Sequence, residues 1–281
     1  MTGPLVLKLG GELVDTPAQR ARVAAAAAAV AAHRPLVVVH GGGRAVDAEL
    51  DRRGIAPKKV DGLRITDAST LDVVVAVLGG TANTELVAAL VGAGVTAVGL
   101  TGVDAGFGRA ARTHGYRSTS GSVVDLGFVG DPVDVDASLV ELLLVHGYVP
   151  VIASLGLEDG PADAATGPRV LNVNADVMAC RIAAALAGSE LVMAGTTPGV
   201  LDATGEPIPM LDTAGIDAAI AAGTATAGMV AKLTACRAAL LEGAASVRIV
   251  DGRLFDPANG VDDAPGTTLV LARETAGRSV A

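Results

Sequence analysis

The sequence predicts an α/β protein built on a mostly parallel sheet covered by helices. Three observations carry this. Short, continuous apolar runs alternate with helix-length segments almost from end to end, the pattern of central strands joined by helical crossovers. Of the 281 residues 51% are hydrophobic but only 2% aromatic, so alanine, valine, leucine and glycine must build the interior, as in doubly covered strands and close-packed helices. The chain is also long enough to bury a large core in one domain or two lobes.

Each element has a local reason. "PLVLKLGG" opens with a strand at Pro4–Leu9, and Thr16-Pro17 supplies a cap and a first turn for a helix over Pro17–His33. A strand at Leu36–Val39 runs into "HGGG" and a helix over Arg44–Arg53. "TDAST" (Thr66–Thr70) starts a helix at Ser69–Leu78, and a separate one is expected at Asn83–Gly92. After a strand at Val95–Leu100, the polar, glycine-rich stretch from Asp104 to Asp134 reads as β hairpins. A helix at Ala137–His146 and a strand at Val149–Ala153 precede "EDGPADAATGP" (Glu158–Pro168), a loop or linker. Beyond it come a helix at Ala175–Ala187, a strand at Glu190–Ala194, helices at Ala214–Ala222 and Met229–Glu242, and strands at Ser246–Val250 and Thr268–Leu271. The linker divides the chain into expected lobes of residues 1–155 and 156–281.

Composition excludes some functions. A net charge of −9 disfavours nucleic acid and anionic membrane as partners, so any anionic substrate must be held by a few placed cations and backbone amides. Cys180 and Cys236 lack metal-ligand spacing and read as small core residues. The apolar run around Val23–Ala32 is too short to span a bilayer and no export signal is visible. A soluble cytoplasmic protein is expected.

Open α/β sheets bind ligands beyond the carboxyl ends of their strands, so the residues there are the candidates. Lys8 lies inside an apolar run, directly before Gly10-Gly11. A lysine buried there needs an anion, whereas on an edge strand it would point to solvent. "HGGGRAVD" (His40–Asp47) places consecutive glycine amides at a helix N-terminus, an anion-friendly cradle or simply a tight turn. Two such turns after neighbouring strands would face one crevice. Arg64 in "DGLRITD" either clamps a carboxylate or is a solvated surface residue. In "LNVNAD" the residues Asn172, Asn174 and Asp176 alternate and so share one face of extended backbone, although Asp176 could equally cap a helix. Lys232 sits one turn into the helix of "AGMVAKLTACRAAL", where a lysine is usually exposed.

Together "KLGG", "HGGGRAVD", "DGLRITD", "NVNAD", "PGV" and "AGMVAK", in that order, resemble the amino acid kinase family, and within it the branch acting on N-acetyl-L-glutamate. The likeness runs from Leu5 to about Leu271. It implies a three-layer sandwich with a central, mostly parallel eight-stranded sheet, an amino-acid site and dimer contacts in the N-terminal half, and a nucleotide site in the C-terminal half. It also implies transfer of the γ-phosphoryl group of ATP, with Mg²⁺ carried mainly by the nucleotide phosphates, to a side-chain carboxylate in arginine biosynthesis. On the matching positions, Lys8 and Lys232 offset charge on the moving group, Asp176 holds both ammoniums, and the amides of Gly10, Gly11 and Gly43 contact phosphoryl oxygens or the accepting carboxylate. Gly42 and Gly43 flank the acyl-amino acid, Arg64 grips its α-carboxylate, and Asn172 and Asn174 complete the substrate site. Thr196, Thr197, Pro198, Gly199, Val200, Leu201, Thr226, Gly228 and Met229 form the nucleotide site. The chain departs from the family at Thr196, where an aspartate is usual, at Thr197, where an apolar residue is, and at Ala227, where a glycine is common. The first strand begins close to Met1, without the N-terminal helix that builds arginine-inhibited hexamers in relatives, so a homodimer is expected. Two rival readings change the acceptor to an aminoadipate or glutamate on a carrier protein, or turn the protein into a non-catalytic sensor.

Overall fold

The computed structural model describes residues 3–160, 169–222, 227–256 and 258–272. Eight strands form one sheet in the spatial order Met210–Asp212, Gly266–Val270, Ser246–Asp251, Glu190–Gly195, Leu5–Leu9, Leu36–His40, Val149–Ala153 and Ala97–Thr101. Every pairing is parallel except that between Ser246–Asp251 and Gly266–Val270. The mostly parallel sheet with helical layers is therefore as the sequence predicts. Met210–Asp212 went unforeseen because it is a three-residue edge strand, exposed at Met210 and Asp212, and leaves no apolar run to read.

Period-two alternation assigns the faces. Leu5, Leu7 and Leu9 of the first strand enter one core with Val38 and the helix Pro17–Ala31, while Val6 enters the other with Met178, Cys180 and Cys236. Lys8 shares the Val6 face and so points towards the helices Ala175–Ala185 and Ala227–Glu242. Its strand lies in the middle of the sheet, which rules out the edge-strand reading. Cys180 and Cys236 are buried free thiols, as their composition-level reading expects.

Two departures shape the site. The helices expected to be separate at Ser69–Leu78 and Asn83–Gly92 join through a π-helical stretch, Ala76–Ala82. Gly79 permits this, because a Cβ there would lie only 3.3 Å from Leu155 Cδ1 and 3.4 Å from Thr101 Cγ2. By length and apolarity alone the joined helix, residues 68–92, would suit a membrane span; here it packs on the helix Pro17–Ala31 and on two strands of the sheet. The second departure lies between Asp104 and Asp134. The expected hairpins form, Gly108–Arg112 with Val129–Val135 and Tyr116–Arg117 with Val123–Val124. The longer one then closes into a four-stranded barrel with Leu155–Glu158 and Val170–Val173, so these later strands pair with earlier ones across the expected boundary at Leu155. Most of the expected linker, residues 161–168, lies outside the described residues.

Candidate active site

The first two strands run side by side, with Leu9 opposite His40, so their glycine turns emerge together. A Cβ on Gly11 would lie 3.4 Å from Gly42 Cα and 3.6 Å from Gly43 N, which places both turns in one crevice as their sequence positions suggest. His40 braces the second turn. It is fully buried; its Nδ1 lies 3.0 Å from the Gly41 carbonyl and its Nε2 3.0 Å from the Asn83 amide nitrogen. Burial lowers the imidazole pKa, and the neutral ring donates from Nδ1 to the carbonyl and accepts at Nε2 from the Asn83 amide.

The crevice opens into a cavity of about 380 Å³ lined among others by Lys8, Gly10, Gly11, Gly42, Gly43 and Arg64. Asn172, Asn174 and Asp176 line it too, as expected for alternating positions leaving the strand Val170–Val173. Asn174, not Asp176, caps the following helix, its Oδ1 accepting from the amides of Asp176 at 2.8 Å and Val177 at 3.4 Å. Asp176 is thereby free to act across the cavity floor. Lys8 Nζ lies 2.6 Å from its Oδ1 and Lys232 Nζ 2.6 Å from its Oδ2. The three side chains are only 11%, 19% and 20% exposed in the order Lys8, Lys232, Asp176. Burial pushes the Asp176 carboxyl up, but the Lys8 and Lys232 ammoniums outweigh it and hold the pKa at about 2. The carboxylate is therefore ionised at neutral pH. Lys232 spends one of its three donors on Asp176, while Lys8 meets the other oxygen as an ion pair.

At the other end of the cavity Arg64 is nearly buried, with 8% side-chain exposure, its Nη1 2.5 Å from Asp47 Oδ1. Its Nη2 donates to the Gly43 carbonyl at 3.0 Å. The solvated-surface reading of Arg64 does not hold. Lys59 completes this group, 2.6 Å from Asp47 Oδ2. Burial would raise the Asp47 pKa, but Arg64 and Lys59 hold it below the usual carboxylate range. Asn172 donates to Thr66 Oγ1 at 3.2 Å. Sequence reasoning missed Lys59, Glu12 and Tyr116, which also line the cavity. Of these only Glu12 carried a visible signal, as the first charged residue after the Gly10-Gly11 turn.

The expected nucleotide residues lie elsewhere, and none of those described lines this cavity. Thr196, Thr197 and Pro198 are exposed after the strand Glu190–Gly195. Arg253 Nη2 donates to the Thr196 carbonyl at 3.1 Å. Gly199 has φ 135°, and a Cβ there would lie 3.0 Å from Thr267 N, so glycine is required by the turn itself. Val200 is buried and donates its amide to Thr267 Oγ1 at 2.8 Å. Leu201 is exposed and bridges to Pro207. Gly228 and Met229 sit in the first turn of the helix Ala227–Glu242 that carries Lys232; Thr226 lies outside the described residues.

The glycines separate packing from function. A Cβ on Gly42 would lie 2.8 Å from Leu78 Cδ2, whereas one on Gly43, which lines the cavity, meets nothing within 4 Å. Gly42→Ala is therefore expected to lower stability by about 1 kcal/mol through overpacking. Gly43→Ala should leave the melting temperature unchanged or raised, because alanine suits a helix start better, yet weaken any ligand seated on its amide at least tenfold. Melting curves beside ligand titrations check this; unaltered binding by Gly43→Ala would mean that nothing approaches that amide.

The model of the amino acid kinase family matches residues 3–251. Over 253 residues the chain is 41% identical to the acetylglutamate kinase of Chloroflexus aurantiacus, covering 89% of this chain and 93% of that protein. It is 42% identical over 259 residues to the acetylglutamate kinase of Sorangium cellulosum, covering 90% and 88% respectively. Among solved structures, N-acetylglutamate synthase from Neisseria gonorrhoeae, complexed with coenzyme A and N-acetyl-glutamate, superposes with a TM-score of 0.77 at 21% identity. That match covers 97% of this chain and 60% of the synthase, and at this identity it speaks for the fold alone.

Proposed function

This chain belongs to the amino acid kinase family, and from that premise we infer that it is an acetylglutamate kinase, transferring the γ-phosphoryl group of ATP to the side-chain carboxylate of N-acetyl-L-glutamate. The observation that carries the chemistry is Lys8 and Asp176 on the floor of a cavity rimmed by two glycine turns, with Lys232 paired to the second oxygen of Asp176. A carboxylate acceptor is already ionised at neutral pH, so no general base is needed. What remains is to align two anions that repel each other and to neutralise the group in transit. Lys8 and Lys232 do the second, with Asp176 holding one ammonium on each oxygen. The Gly10 amide donates to the Ala194 carbonyl at 2.8 Å, so it shapes the turn and does not bind an anion. The amides of Gly11 and Gly43 supply fixed donors to phosphoryl and carboxylate oxygens, an arrangement that needs no reorganisation during the reaction.

Arg64 binds the α-carboxylate with the donors left free by Asp47 and Gly43, and Asn172, with Asn174 beside it, contacts the amide end of the substrate. In this reading the C-terminal half, residues 156–281, takes the nucleotide between Thr196–Leu201 and the helix bearing Gly228 and Met229. ATP brings Mg²⁺, which offsets phosphate charge. The product feeds arginine biosynthesis in the cytoplasm, and the working species is a homodimer, which light scattering reports directly.

The deciding experiment traps acyl phosphate as hydroxamate, with MgATP and either N-acetyl-L-glutamate, free glutamate or N-acetyl-aminoadipate. Turnover with N-acetyl-L-glutamate alone is expected. Turnover confined to an aminoadipate or glutamate carried on a protein would replace the acceptor, and nucleotide binding without any turnover would point to a sensor.

A further inference from the structure

Glu12 has no place in the chemistry above. It lies in the short 3-10 turn Gly11–Leu13, and its carboxylate folds back over the glycine cradle. A Cβ on Gly10 would collide with that carboxylate, and one on Gly195 would lie 3.4 Å from Glu12 Oε1. The carboxylate therefore sits where the strands Leu5–Leu9 and Glu190–Gly195 end side by side, on the wall of the cavity that holds Lys8. It is half-buried, and its side chain has no hydrogen bond or ion pair with any described residue. Lys8 and Lys232 pair with Asp176 and Lys59 with Asp47, none of them with Glu12.

An unpaired carboxylate is out of place there. With phosphoryl oxygens on the Gly11 amide, Glu12 would face them at close range inside a half-enclosed cavity, where like charges repel. A divalent cation between them turns that repulsion into attraction. Mg²⁺ favours this composition, with one or two carboxylates, phosphate oxygens and retained waters completing an octahedron. Among the described residues no group of three or more His, Cys, Asp or Glu side chains could hold a metal. The cation would therefore bind only together with the nucleotide.

We propose that Glu12 is a protein ligand, direct or through one water, for the divalent cation that accompanies the nucleotide. This rests on the reading of the chain as an ATP-dependent kinase. It gives the metal a foothold on the protein besides the phosphates, and makes nucleotide binding depend on metal through one side chain.

The test uses the whole chain, the non-hydrolysable β,γ-imido analogue of ATP, and Mn²⁺ followed by electron paramagnetic resonance, so it does not depend on turnover. In the parent protein, Mn²⁺ binds tightly only when the analogue is present. Glu12→Gln, which keeps size and removes charge, should loosen Mn²⁺ in the ternary complex at least tenfold. The metal-free analogue should bind the same variant as tightly as the parent or more tightly, because a repelling charge has gone. Glu12→Asp, with a carboxylate on a shorter arm, should retain more of the metal affinity than Glu12→Gln. Equal Mn²⁺ affinity in parent and Glu12→Gln, with nucleotide bound in both, overturns the role of Glu12 and leaves the kinase reading intact. A parent that binds no nucleotide, with or without metal, overturns both.

Discussion

Lys8→Ala is expected to lower kcat for acyl-phosphate formation by about three orders of magnitude or more while the protein remains folded. One positioned donor to developing charge is typically worth ~3 kcal/mol of barrier, or about a hundredfold. Lys8 contributes more than its own charge. Asp176 is held from both sides, by Lys8 on Oδ1 and Lys232 on Oδ2. Without Lys8 the carboxylate swings towards the remaining ammonium, and Lys232 is drawn off its position. The loss therefore falls on two donors at once, as in groups that act as a unit. Lys8→Arg should not restore the rate, because a planar guanidinium cannot replace a compact ammonium in so closed a place. Hydroxamate trapping gives the rate, and thermal melting confirms the fold. A rate within tenfold of the parent would remove Lys8 from the proposed mechanism.

Arg64→Ala should raise KM for N-acetyl-L-glutamate by about 10- to 100-fold, the range of a lost charge-assisted hydrogen bond at 1.5–3 kcal/mol. KM for ATP should move little. Asp47 keeps Lys59 as a partner in that variant, so it is not left as an unpaired buried charge, and the helix Gly43–Arg52 retains its tie to residue 59. The split between the two substrates separates recognition from folding: general destabilisation would change both KM values. If only kcat fell, Arg64 would be acting on the reacting group and its assignment to the α-carboxylate would be wrong.

Much of the site was legible because its parts are local. A glycine pair directly after an apolar run, and three more glycine-turn residues before a helix, follow from the backbone needs of an anion cradle whatever the rest of the chain does. Lys8 stood out because a charge inside a central strand must meet an opposite one. The spacing of Asn172, Asn174 and Asp176 placed them on one side. It did not say which of the two last residues caps the helix; the fold gives the cap to Asn174 and releases Asp176. Lys59 was not legible at all. In sequence it is one of two adjacent surface-type lysines, and only the approach of residues 59 and 64 to Asp47 gives it a role.

The sequence by itself determined the α/β class, seven of the eight sheet strands and the two glycine turns, because apolar periodicity and glycine placement report which face of a segment is buried and where the backbone turns. Which buried faces meet was decided by the tertiary structure. The joined helix at residues 68–92 exists because Gly79 lets it approach Leu155 and Thr101, and the barrel closes because strands before and after the sheet strand Val149–Ala153 find one another. The same level of organisation brings Lys8, Asp176 and Lys232 within 2.6 Å contacts and leaves the Glu12 side chain without a partner among the described residues. Such pairings depend on distances between segments far apart in the chain, which no local pattern of residues encodes.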